Sequence, residues 1–267
     1  MIKSNLTLLG LILLLAFTSC SKFSKIIKEP DPDLRFDAAI EYYNDDECLK
    51  SMTILEDLLP IYRGTKKSED VYYYYAKSNF CTEDYILAGF YMKQFVKTFP
   101  QSKYSEECSY LGAICAFKES PGNSLDQSET NKALSELEVF IDRYPETDKK
   151  DTITSLISIL KSKLEVKDYE NAKLYHKTLN FKSAVIAYNS FLKEYPATKL
   201  REEIMFNIVQ ANYSLAINSI ERKKEGRLKE TVKSYNTFAA IFPESESLAE
   251  AQRLQSSAQK ELDKLKD

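Results

Sequence analysis

The stretch Phe181 to Pro196, FKSAVIAYNSFLKEYP, constrains this chain most, because its order of small, aromatic and proline positions comes back four more times. Aligned on the proline, the slots read Ala184, Tyr188, Phe191, Tyr195, Pro196, then Ala133, Leu137, Phe140, Tyr144, Pro145, and Ala88, Met92, Phe95, Phe99, Pro100. Two looser copies are Thr231, Tyr235, Phe238, Phe242, Pro243 and Cys48, Met52, Leu55, Leu59, Pro60. Steps of four, three and four residues put these slots on one face of an α-helix. Proline lacks an amide hydrogen and restricts the residue before it, so each helix is expected to stop there. The prolines stand 40, 45, 51 and 47 residues apart, a period that marks stacked structural repeats.

The copy at 172–196 also carries Ala172 and Tyr175 on the preceding helix. Together with Phe181, Ala184, Tyr188 and Pro196 it resembles the tetratricopeptide repeat, in which small residues let two antiparallel helices approach and aromatic rings fill the space between them. Phe191 stands where that repeat usually has Ala, so a wider helix contact is expected there. The expected fold class is all-α, a tetratricopeptide-like helical-repeat array of about five helix pairs plus a C-terminal cap helix. An unrelated bundle of proline-terminated helices is the alternative. Glycine is scarce, at 6 of 267 residues, which agrees with a nearly all-helical body.

Helix pairs follow from the same spacing. Leu34–Asn44 is expected to pair with Glu47–Leu59, Glu69–Phe80 with Tyr85–Phe99, and Lys103–Lys118 with Ser128–Tyr144. Lys149–His176 then pairs with Phe181–Tyr195, and Lys199–Glu225 with Leu228–Phe242, before Glu246–Leu265 closes the array. Ser102, Thr147, Thr198 and Ser245 each lie two residues after a proline, where a side-chain oxygen can accept from the free amides of the next helix start. On the last helix Leu248, Ala251, Leu254, Ala258, Leu262 and Leu265 share one face, as in a solvent-facing cap. A dimerising coiled coil is the alternative reading of that stripe.

Residues 1–19 read as a secretory signal peptide: Lys3 precedes a 12-residue run from Leu6 to Phe17 interrupted only by Thr7 and Gly10. That run is shorter than the ~20 apolar residues a spanning helix needs. Ser19-Cys20 resembles the lipobox of bacterial lipoproteins, in which Cys20 would become the acylated N-terminus. By the same analogy Ser21 favours the outer membrane. Residues 20–33 are expected to form a short lipidated tether, with two prolines opposing helix, and 34–267 the repeat domain, facing the periplasm.

Composition narrows the chemistry. The whole chain carries a net charge of −3, so there is no electrostatic footprint for nucleic acid. A lone histidine, His176, leaves no pair for a metal site, and no catalytic residue, metal or cofactor is expected. Gly64-Thr65-Lys66-Lys67-Ser68 lacks the upstream glycine of a phosphate loop and is read as a turn. Cys48, Cys81, Cys108 and Cys115 are expected as buried thiols, Cys48 in a small repeat slot. A Cys81–Cys108 or Cys81–Cys115 bridge is the alternative.

Aromatic content stands out, with 18 Tyr and 14 Phe but no Trp. Tyr72, Tyr73, Tyr74 and Tyr75 are consecutive, so on a helix they point around its whole circumference. One or two of them, with some of Tyr42, Tyr43 and Tyr91, are therefore expected to be exposed. Exposed tyrosines are binding candidates, forming a substrate groove.

Taken whole, residues 20–267 resemble the BamD family, helical-repeat lipoproteins of the outer-membrane β-barrel assembly machinery. The strongest part is DYENAKLYHKTLNFKSAVIAYNSFLKEYPATKLREE, Asp168 to Glu203. The resemblance implies a non-enzymatic scaffold whose C-terminal repeats dock on the barrel-forming subunit and whose N-terminal repeats engage unfolded outer-membrane proteins. Within the expected over-long helix Lys199–Glu225, the segment Ile220–Leu228 gathers Arg222, Lys223, Lys224 and Arg227, a candidate docking patch for an acidic partner. Other readings are a different periplasmic repeat scaffold and a glycan-binding lipoprotein of the SusD type, though the latter stack sugars on tryptophan.

Overall fold

The computed structural model describes residues 22–265. The expected signal peptide, 1–19, and the expected lipidation site, Cys20, lie outside the described residues. Helical residues 22–27 (α1) lead into α2 (Pro32–Asn44), α3 (Cys48–Tyr62), α4 (Ser68–Cys81), α5 (Tyr85–Thr98), α6 (Ser105–Glu119), α7 (Ser128–Arg143) and α8 (Lys150–Lys177). Next come α9 (Phe181–Glu194), α10 (Arg201–Ile217), α11 (Glu221–Ile241) and α12 (Leu248–Lys264). No strand occurs among the described residues. The array is all-α, as the repeat spacing implies.

Four of the five proline copies end their helices by one shared device. Phe99, Tyr144, Tyr195 and Phe242 leave the helix with φ between −116° and −126° and ψ between 60° and 70°, and each donates its amide to the aromatic four residues back. That is the backbone a pre-proline residue favours over the helix. Two residues past the proline, the hydroxyls of Ser102, Thr147, Thr198 and Ser245 accept from the amides of Tyr104, Lys149, Leu200 and Ser247 at 3.0–3.3 Å. Proline and hydroxyl thus turn the chain in the same way each time.

Pro60 departs from this pattern, because α3 runs through it to Tyr62. The reason lies beyond the proline: Tyr62 is buried in the core, and its hydroxyl donates to Asp33 Oδ1 at 2.6 Å. That anchor holds the last turn in helical form.

Three helix pairs close with a tight turn in which a non-glycine residue takes the left-handed conformation: Asp46 (φ 59°), Glu83 (φ 61°) and Leu179 (φ 61°). The amide after each one reaches back to the carbonyl five residues earlier, Glu47 to Tyr42, Asp84 to Asn79 and Asn180 to Tyr175. This satisfies a carbonyl that the helix end leaves free.

The chain forms two compact units, divided within α8 at Lys161/Ser162. In the first, one core joins α1 to α4 around Ile54, Leu55 and Leu58, and the next joins α4 to α6 around Met92 and Phe95. A third joins α6, α7 and the start of α8 around Leu137 and Phe140. In the second unit, Tyr169, Ala184, Tyr188 and Ile204 join the end of α8 to α9 and α10, while Val209, Phe238 and Ala251 join α10 to α11 and α12. The small slots Ala88, Ala133, Ala184 and Thr231 are completely buried, which is why the repeat keeps them small. Ala251, Ala258 and Leu262 seat α12 on the array as the expected cap.

Four further expectations need correction. Residues 22–27 are helical, because Phe23, Ile26 and Ile27 fall on one face and pack on the first core. Pro32 does not oppose helix either: it sits in the first turn of α2, where its missing amide hydrogen is harmless, and Asp31 caps that helix through the Asp33 amide. The helix expected from Lys199 to Glu225 is two helices, since α10 ends at Ile217. Asn218 and Ser219 turn their side chains back to the carbonyls of Ser214 and Leu215 and so satisfy the helix end. Finally, Cys48 and Cys81 form a disulfide, with Cα atoms 6.0 Å apart, instead of buried thiols or a Cys81–Cys108 or Cys81–Cys115 bridge. The start of α3 lies beside the end of α4 because the two helices run antiparallel.

Candidate functional site

The tyrosine run on α4 does not form an exposed patch. α4 packs against α3 and α5 and also touches α2 and α6, so each direction around its circumference meets a neighbour. Tyr73 and Tyr75 are buried, as is Tyr42, while Tyr43, Tyr72 and Tyr74 are half-buried. Tyr73 stacks on Tyr104 with ring centres 3.8 Å apart, and Tyr75 meets Tyr91 edge-on at 4.7 Å. Tyr43 and Tyr74 meet edge-on at 5.7 Å, with the Lys77 ammonium 5.6 Å from the Tyr43 ring. The expectation of exposure assumed a helix with one solvent face, which α4 lacks.

This aromatic core carries charge at its edge. Tyr73 donates to Glu107 Oε2 at 2.6 Å and Lys77 to Glu107 Oε1 at 2.8 Å. Burial alone would raise the Glu107 carboxyl, but the hydrogen bonds from Lys77 and Tyr73 outweigh it and hold the group below its ordinary range. Burial, then the Glu107 contact, pushes the Tyr73 hydroxyl well above its usual value. Both therefore keep fixed protonation states near neutrality.

The basic segment also changes its setting. Arg222, Lys223, Lys224 and Arg227 lie in the first two turns of α11, with Glu221 ahead of them, instead of overhanging the end of α10. Cations at a helix N-terminus oppose its dipole. Lys224 pairs with Glu261 of α12 at 3.1 Å, and Arg227 donates to Ser219 Oγ. Arg222 and Lys223 are exposed. Half of the segment is thus tied to the fold.

His176 is half-buried between the rings of Phe181 and Tyr188, and burial lowers its pKa. Burial pushes the Cys108 and Cys115 thiols up to about 12. Gly64 takes φ 79° in the turn between α3 and α4. No group of three or more His, Cys, Asp or Glu side chains stands ready for a metal ion among the described residues. None of the described helices is long and apolar enough to cross a membrane.

Among the grooves of the described residues, two lie on helix faces that the sequence does not announce. In the first unit, a 490 Å³ groove between α5, α6 and α7 has a floor of Gly89, Gly112 and Cys115 under exposed Ile86 and Phe90. A Cβ added at Gly89 would lie 3.1 Å from Cys115 Cβ, so glycine is what lets α5 and α6 approach here. In the second unit, α9, α10 and α11 line a groove of 470 Å³.

Repeated hairpins with buried small slots, a shared proline exit and open grooves define a helical-repeat protein of the tetratricopeptide type. More specifically, residues 29–228 match the family described as YfiO: Outer membrane lipoprotein, and the chain belongs to that family. Two relatives are similar to it. The outer membrane protein assembly factor BamD of Caulobacter vibrioides is 26% identical over 161 residues, 60% of this chain and 50% of the relative. The putative outer membrane protein assembly factor BamD of Aquifex aeolicus is 26% identical over 176 residues, 66% of this chain and 56% of the relative. The chain spans about half the length of the curated relatives it matches.

Proposed function

We propose that this chain is a non-enzymatic scaffold of outer-membrane β-barrel assembly, held to the periplasmic face of the outer membrane by lipid on Cys20. The observation that carries this reading is the family match over residues 29–228, on a body whose repeated residues serve helix packing. Relatives named as assembly factors support it. Partners are then the periplasmic domain of the barrel-forming subunit and unfolded outer-membrane proteins, with no cofactor.

Within this reading, Arg222 and Lys223 are the docking candidates, since Lys224 and Arg227 are already engaged in the fold. The half-buried Tyr43, Tyr72 and Tyr74 would contribute only ring edges to a substrate surface, and Tyr42, Tyr73 and Tyr75 would shape it from below.

Depletion of the protein tests the function. Folded outer-membrane barrels, scored by their heat-modifiable migration in gels, are expected to fall while periplasmic proteins hold steady. Unchanged barrel levels under full depletion would overturn the reading. Cys20→Ala is expected to release the protein from membranes, because stable anchoring takes more than one acyl chain and a lipoprotein cysteine supplies them together. Retention in a strain lacking its partners would contradict the anchor.

A further inference from the structure

The start of α1 is fixed beside the α2–α3 turn: the Phe23 ring meets Tyr42 edge-on at 5.7 Å, and Lys22 pairs with Glu41 at 3.2 Å. Cys20 stands two residues before Lys22, and two residues reach at most about 7 Å. That is close to the depth of one headgroup layer, since the polar regions add about 5–8 Å on each side of the hydrocarbon core. Phe23, Ile26 and Ile27 pack on the first core, so α1 adds no slack to that reach. Lipid on Cys20 would therefore hold this end of the first unit at the membrane surface.

Three turns share that end. The Cys48–Cys81 bridge joins the start of α3 to the end of α4, and the Lys118 ammonium lies 5.7 Å from the Tyr85 ring, joining the end of α6 to the start of α5. The α2–α3, α4–α5 and α6–α7 turns thus form one edge within the first unit. Along it stand Leu49, Ile86, Phe90 and Leu125, each between 55% and 71% exposed. Large apolar side chains grouped in water on one edge mark a contact surface.

We infer that the first unit rests on phospholipid by this edge, with Ile86 and Leu125 seated at headgroup level. The inference rests on the lipid at Cys20 proposed above and adds which face of the body meets the membrane. The anchor fixes one point, and apolar area on the neighbouring turns fixes the orientation. Asp45, Asp46, Glu83 and Asp84 are exposed on the same edge, against Lys118. Anionic headgroups are thereby disfavoured, and a zwitterionic phospholipid fits.

The chain has no tryptophan, so a single introduced one reports its own surroundings. The full acylated protein is purified in detergent and reconstituted into vesicles of phosphatidylethanolamine and phosphatidylglycerol that contain brominated phospholipid. Ile86→Trp and Leu125→Trp are compared with Ile61→Trp, an exposed position of the same unit that lies about 20 Å along α3 from Cys48. The two edge tryptophans are expected to be quenched by bromine and to shift to shorter wavelength, while Ile61→Trp emits as in water. All three positions are exposed, so the fold is kept, and the two edge sites check each other. Raising the share of phosphatidylglycerol at low salt is expected to weaken the quenching.

Quenching no greater at Ile86 and Leu125 than at Ile61 would overturn the inference, as would quenching that grows with phosphatidylglycerol. A wavelength shift without quenching would place a second copy of the chain on the edge and overturn it equally. Mass spectrometry of the same preparation separates the two claims. Acyl chains on Cys20 with an unquenched edge remove this inference alone, whereas a bare Cys20 removes the anchor and this inference with it.

Discussion

Tyr73 donates its hydroxyl to Glu107 at 2.6 Å, across 34 residues of sequence, and Tyr169 donates to Glu203 across the same 34 residues in the other unit. Each bond joins the first helix of one pair to the first helix of the next. The repeat is therefore held by a recurring polar contact as well as by its apolar slots. Because the Glu107 carboxyl is held below its ordinary value, its contribution is complete above the ordinary carboxylate pKa and fades as pH falls through the lowered one. Tyr73→Phe is expected to cost about 1 kcal/mol at pH 7. Melting curves from pH 7 to pH 3 check this: the gap between parent and Glu107→Gln must narrow on acidification, and a constant gap would contradict the assignment.

Cys48 and Cys81 close a span of 33 residues that contains α3, a turn and α4. Constraining the unfolded chain over such a loop contributes about 2–4 kcal/mol. Reductant is expected to lower the melting temperature of the parent and leave a Cys48→Ser, Cys81→Ser double variant unmoved. Equal shifts in both would argue against the bridge.

Ala184 is completely buried between α8, α9 and α10. Ala184→Phe is expected to cost about 1–3 kcal/mol through overpacking, as is Ala133→Phe in the other unit. Unchanged melting in both would remove the small slot as an organising feature.

Leu179 takes φ 61° while 73% of its surface is exposed. A left-handed leucine carries strain of roughly 1–2 kcal/mol that asparagine tolerates better. Leu179→Asn is expected to raise the melting temperature, since little packing is lost. A fall would mean that the leucine supports the α8–α9 turn.

The helices were legible in the sequence because proline, a preceding aromatic and a following hydroxyl act locally, as at Tyr195, Pro196 and Thr198. What escaped was set by neighbours. Tyr73 and Tyr75 are buried because other helices surround α4, a fact that no single-helix periodicity contains. The end of α10 rests on Asn218 and Ser219, a weaker signal than glycine or proline, and it moved the basic residues from a helix end to a helix start. The Cys48–Cys81 bridge was accessible in principle, since antiparallel helices put the first residue of one beside the last of the next.

The central claim, that this chain is a scaffold of outer-membrane barrel assembly, is tested most directly by affinity purification of the tagged protein from mildly solubilised membranes, with mass spectrometry of what is retained. The account predicts enrichment of a barrel-forming subunit with periplasmic domains, reduced by Arg222→Glu with Lys223→Glu at moderate salt while the melting curve stays unchanged. Recovery of a different envelope complex, with no barrel-forming subunit at any salt, would contradict it.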